Sequence, residues 1–133
     1  LFNAGYNNLS AIEISKIALN QFKTSFPKCF NKTSVIHGSI EDKIKKIDSN
    51  KYNIVFTMAV LQHIPYENDY IFDEMVRISA GYLIIWEVED FSSPRHFPRN
   101  YRKVFEKRNM RQIEHTKRFR VFKHSDNNFN NSK

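Results

Sequence analysis

The sequence predicts an α/β fold, a doubly wound and mostly parallel sheet closed by a C-terminal antiparallel hairpin. Three observations predict it. Strand-type and helix-type apolar patterns alternate along the 133 residues, and such alternation builds parallel sheets with right-handed crossovers. The stretch Lys51–Pro65 runs from a hydrophilic lead-in through an unbroken apolar segment. Its Ile54, Val55 and Phe56 suit a strand covered on both faces. Lastly, Met110–Thr116 and Phe119–Lys123 are joined tightly, and Arg120-Val121-Phe122-Lys123 alternates as a half-exposed strand does.

Taken in order, Leu9–Ile14 is a short apolar strand carrying Glu13 near its end. Ser15 is a helix N-cap, because its hydroxyl can accept from an orphan backbone N–H. Ile17, Ala18, Phe22 and Phe26 follow at helical spacing, and Pro27 stops the helix. Ser34–His37 is a second strand, Gly38-Ser39-Ile40-Glu41-Asp42 a turn, and Lys43–Ile47 a brief helical turn. After the Lys51–Pro65 strand and its exit, Ile71, Phe72, Met75, Val76 and Ile78 mark a helix from Asn68 or Asp69 to Ser79. Gly81 is placed to end that helix in a left-handed C-cap. Tyr82–Trp86 is a further buried-type strand with Glu87 and Glu89 at its carboxyl end. A loop with two prolines spans Phe91–Pro98, and Asn100–Asn109 reads as a basic helix with Tyr101, Val104 and Phe105 inward. Residues 1–124 form the domain; residues 125–133 are Asn-rich, lack a core face and are expected to be a disordered tail.

Composition narrows the class. With 41% hydrophobic residues and 12 Phe the chain is globular in character. No apolar run approaches the ~20 residues that cross a bilayer, and no signal-peptide pattern opens the sequence. Cys29 is the single cysteine, which excludes an internal disulfide and a multi-cysteine metal site. A reducing, cytoplasmic setting is expected. His37, His115 and His124 have no partners at ligand spacing, so no metal site is expected. The net charge of +7 is uneven: residues 95–123 hold eleven Lys or Arg against Glu106 and Glu114, an excess of nine, and the remainder sums to minus two. Such a segment suits nucleic acid or anionic ligands. The plainer reading is a solvated helix face and a charge-protected edge strand.

An acid ending one strand, the turn Gly38–Asp42, and then Tyr52-Asn53-Ile54-Val55-Phe56-Thr57-Met58-Ala59-Val60-Leu61-Gln62-His63-Ile64-Pro65 resemble the class I S-adenosylmethionine-dependent methyltransferases. The likeness is to the small methyltransferase-domain proteins of that Rossmann-like class and covers about Ala4–Phe122. In that family a first strand and a glycine-rich loop precede the acid-ending strand, whereas this sequence has three glycines and no such loop. The resemblance therefore implies an N-terminally incomplete domain lacking the first strand, the loop and most of the first helix. An open seam of unpaired backbone and exposed apolar surface is then expected.

The resemblance implies S-adenosylmethionine as cofactor. It gives Glu13 the ribose hydroxyls, Ile14 the adenine ring, and Ser39, Ile40 and Glu41 the adenine edge. Relatives commonly carry Asp where Ser39 stands. Thr57, Met58 and Ala59, just beyond a strand's carboxyl end where open sheets bind ligands, fall beside the methionyl part. They do not form the Asn-Pro-Pro-Tyr-like motif of nucleic-acid amino-methyltransferases. His63, Glu87, Arg95 and His96 are the candidates for contact with the acceptor, expected to be a small molecule; His63 is also suited simply to fixing its loop. Two other readings stand beside this one. A nicotinamide-dependent Rossmann enzyme would use Glu13 in the same way, and a non-catalytic methyltransferase-like module would bind RNA or a partner through residues 95–123.

Overall fold

The computed structural model describes residues 1–125, which fall into two compact units, residues 1–46 and the residues from Ile47 onward. The first unit opens with a 3₁₀ turn at Phe2–Ala4 and enters strand β1 (Leu9–Glu13). Helix α1 (Lys16–Ser25) starts at Ser15, whose Oγ accepts the Ala18 N–H at 3.2 Å. Pro27 does more than stop it. It occupies the first turn of an unpredicted helix, α2 (Pro27–Asn31), where a missing N–H costs nothing. Strand β2 (Thr33–His37) pairs parallel with β1 and sets His37 opposite Glu13. The expected Gly38–Asp42 turn is already helical from Ile40. Ser39 Oγ accepts the Asp42 N–H at 3.2 Å and caps helix α3 (Ile40–Lys43). The spacing that predicted α1 does form a helix, yet Ile17 is 72% exposed and no α1 residue is buried. Among the described residues of this unit only Ile44 is buried.

The second unit is a four-stranded sheet. Strands β3 (Tyr52–Met58), β4 (Ser79–Trp86), β5 (Met110–Thr116) and β6 (Phe119–His124) lie in the order β3-β4-β6-β5. β3 and β4 are parallel, while β6 is antiparallel to both β4 and β5. This is the expected mixed sheet with a closing hairpin. Helix α4 (Tyr70–Ile78) and helix α5 (Tyr101–Glu106) pack on one face. Their Ile71, Phe72, Met75, Tyr101 and Phe105 are buried with Leu83, Ile85 and Phe122 of the sheet. The Phe105 ring lies 5.8 Å from Phe72 and 5.0 Å from Phe122, so one aromatic chain joins both helices to the sheet.

Several expectations need correction. Gly81 does not cap α4. Ser79 ends that helix in extended backbone, and Gly81 lies inside β4. A Cβ there would stand 2.6 Å from the Asn53 carbonyl oxygen, where β3 and β4 shift register, so only glycine lets the strands close up. β3 is not covered on both faces. It is an edge strand paired with β4, and Phe56 is 56% exposed on a face shared with Ile54 and Met58. Tyr82 and Trp86, opposite Ile54 and Met58 in β4, extend that open apolar surface. The helix read over Asn100–Asn109 ends at Glu106, and Asn109, at φ 59°, turns the chain into β5. Of residues 125–133, Ser125 donates its N–H to the Asn109 carbonyl at 2.8 Å; the others lie outside the described residues.

Candidate functional site

The candidate residues stand at strand carboxyl ends in each unit. In the first, Glu13 ends β1, and its Oε1 accepts the Ser15 N–H at 2.7 Å. Oε2 has no partner among the described residues. The Gly38 N–H donates to the Glu13 carbonyl at 3.0 Å, and His37 Nε2 donates to the Ile14 carbonyl at 3.2 Å. The ends of β1 and β2 are thus tied together, with the Glu13 carboxylate oriented and the Ile14 side chain exposed. Ser39 sits at the start of α3, with Ile40 and Glu41 in its first turn, and the capping Ser39 hydroxyl keeps its own hydrogen to donate.

In the second unit the chain leaves β3 through Ala59, whose φ of 55° is left-handed and unusual for a residue with a Cβ. The Ala59 N–H donates to the Trp86 carbonyl at 2.9 Å, which binds the exit turn to the end of β4. Glu87 holds the rest. It is 1% exposed. Its Oε1 accepts the Thr57 hydroxyl at 2.9 Å and the Val60 N–H at 3.2 Å, and its Oε2 accepts the Gln62 N–H at 3.3 Å. Burial raises the Glu87 carboxyl above its ordinary pKa, and the hydrogen bonds from Thr57, Val60, Leu61 and Gln62 oppose that rise. Glu87 is therefore an internal anchor of the β3 exit rather than a side chain extended toward an acceptor.

A pocket of about 250 Å³ opens at this end, lined by Met58, Ala59, Gln62, Trp86, Glu87, Val88 and Arg118. His63 faces elsewhere: its Nδ1 donates to the Arg95 carbonyl at 2.7 Å. The His63 and His96 rings lie 4.6 Å apart, and His96 Nδ1 meets Ser93 Oγ at 2.7 Å. His63, Arg95 and His96 thus fasten the loop after β4 to the segment after β3, and none of them lines the pocket. Among the described residues no cluster of His, Cys, Asp and Glu could hold a metal, and no helix is long and apolar enough to cross a membrane.

The sequence matches no family model and no curated protein. Solved structures do match. Over 92% of this chain, at 11% identity and a TM-score of 0.70, it superposes on the PH0226 protein from Pyrococcus horikoshii OT3, spanning 74% of that chain. Over 86%, at 17% identity and a TM-score of 0.60, it is similar to a SAM-dependent methyltransferase from Aquifex aeolicus, spanning 66% of it. Over 88%, at 12% identity and a TM-score of 0.66, it is similar to the N-methyltransferase NodS from Bradyrhizobium japonicum WM9, spanning 73% of it. The chain has the fold of the class I S-adenosylmethionine-dependent methyltransferases. It spans only 46% of a longer Galdieria sulphuraria chain with that fold.

Within this methyltransferase fold, sequence reasoning missed Gln62, Trp86, Arg99 and Arg118. Gln62 Oε1 accepts the Val88 N–H at 2.9 Å and its carbonyl accepts the Phe97 N–H at 2.8 Å, so one residue stitches three segments. The polar Gln62 between apolar Leu61 and His63 was a signal that could have found it. Arg118 carried none, because only hairpin pairing brings it to the end of β4.

Proposed function

We propose that this chain takes part in methyl transfer from S-adenosylmethionine to a small-molecule acceptor in a cytoplasmic setting. The observation that carries the reading is the β3 exit. A left-handed Ala59, tied to the Trp86 carbonyl and followed by Val60 on the Glu87 carboxylate, turns the backbone sharply off the strand and leaves the strand end free for a ligand, where open α/β sheets bind theirs. The fold shared with methyltransferases and the oriented Glu13 carboxylate at the end of β1 support the same reading. In the first unit, Glu13 would accept from the ribose hydroxyls, and Ile14, Ser39, Ile40 and Glu41 would meet the adenine.

In the reaction a lone pair on the acceptor forms a bond to the methyl carbon as the carbon–sulfur bond breaks. The electron pair stays on sulfur, giving S-adenosylhomocysteine, and the acceptor's proton passes to solvent. Positioning and exclusion of water supply the rate, so no protein nucleophile is needed. The alternative of nucleic-acid binding through residues 95–123 draws less support. Arg99, Arg102, Arg108 and Arg120 are all paired with carboxylates of the chain itself.

Calorimetry with S-adenosylhomocysteine tests the ribose assignment. Replacing Glu13 by Ala should weaken binding about tenfold or more, the loss of hydrogen bonds to a charged acceptor. Equal affinities for the two proteins would remove Glu13 from the site.

A further inference from the structure

The pocket between the ends of β3 and β4 shares Met58 and Ala59 with the residues expected beside the cofactor's methionyl part, but that role does not account for its Trp86 and Arg118. Resting on the methyl-transfer reading, we propose that it receives the acceptor, and that the acceptor is a small planar carboxylic acid. Its volume of about 250 Å³ falls below the roughly 300–1,000 Å³ of clefts for drug-sized ligands, which limits the guest to about one ring. Two walls are apolar and open. Trp86 is 53% exposed, Met58 is 58% exposed, and the two are paired across β3 and β4. An indole face left in solvent suits stacking on a flat guest.

The polar lining is selective. Glu87 already accepts three hydrogen bonds, and Gln62 Oε1 is held by the Val88 N–H. The exposed cation is Arg118. Its backbone is fixed, since its carbonyl accepts the Glu87 N–H at 3.0 Å, but its guanidinium makes no ion pair among the described residues. A second hollow beside it is lined by Glu89, Asp90, His115, Lys117, Arg118 and Arg120. There Glu89 is taken by Arg120, which leaves Lys117 and Arg118 against Asp90. A free guanidinium beside an exposed indole matches a carboxylate attached to a ring, which it can bind through two parallel N–H donors.

Trp86 is the only tryptophan in the chain, so its fluorescence reports on this pocket alone. Titrating the full chain with 4-hydroxybenzoate should quench it saturably, with an affinity about tenfold above that for uncharged 4-hydroxybenzamide. Arg118→Gln should abolish the preference for the acid, and Arg118→Lys should keep part of it. Equal affinities for acid and amide, or a preference that survives Arg118→Gln, would overturn the proposal. Calorimetry with S-adenosylhomocysteine on the same protein separates the two ideas. Cofactor binding without acid preference overturns the acceptor class alone. Acid preference without cofactor binding overturns the methyl-transfer reading and, with it, the acceptor role of the pocket.

Discussion

Replacing Glu87 by Ala should destabilise the second unit by about 3–5 kcal/mol, read as a shift in the denaturation midpoint. The change leaves the Thr57 hydroxyl and the Val60 and Gln62 N–H groups without their acceptor, at about 1–3 kcal/mol for each buried group left unmade, with partial rehydration limiting the sum. Glu87→Gln should cost less, since one carbonyl oxygen remains to accept. The pH dependence has a definite sign. Burial raises the folded-state pKa above the unfolded value of 4.5, so this contribution is complete below that pH and is lost as pH rises through the raised value. The stability difference between the natural chain and Glu87→Gln should therefore narrow from acid toward neutral pH. A difference that stays flat or widens would contradict the desolvation argument.

Arg99→Ala should be comparably severe, at about 3–5 kcal/mol, because it strips a buried hub of its donors. The guanidinium donates to the Ile64 carbonyl at 2.7 Å, the Pro65 carbonyl at 3.0 Å, the Phe97 carbonyl at 3.3 Å and Asp69 Oδ1 at 3.2 Å. It also lies 4.6 Å from the centre of the Tyr66 ring and 5.0 Å from that of Phe72. Arg99→Lys should recover little, because a single ammonium cannot reproduce a planar fork of donors. Thermal denaturation of the two variants checks this. Recovery of most of the loss by lysine would show that charge alone, rather than directed hydrogen bonding, holds the segment after β3 to the loop before α5.

How legible all this was depends on the range of the interactions. Ser15 as a cap and the inward stripe Ile71-Phe72-Met75-Ile78 are local patterns, and the structure realises both; the Arg120–Lys123 strand forms too, but with Arg120 on the buried face beside Phe122. Gly81 was misread because a glycine after a helix has two physical uses, and the close approach of Asn53 that selects the second is invisible locally. β3 was misread for a related reason. An apolar β-branched run shows that a strand forms, but not how many neighbours cover it. The basic segment showed its charge but not its pairing, so Arg99 and Arg120 looked like surface when they are buried beside acids distant in sequence. Glu87 was singled out for the right location, while its inward orientation depended on the left-handed turn at Ala59.

On the proposed reading, the strand ends of this chain serve S-adenosylmethionine rather than another nucleoside cofactor. A calorimetric titration of the full chain with S-adenosylhomocysteine, run against NAD as the rival that a strand-ending carboxylate would equally serve, tests it most directly. Saturable binding of S-adenosylhomocysteine with no heat from NAD is the predicted result; binding of NAD in preference, or of neither, would contradict it.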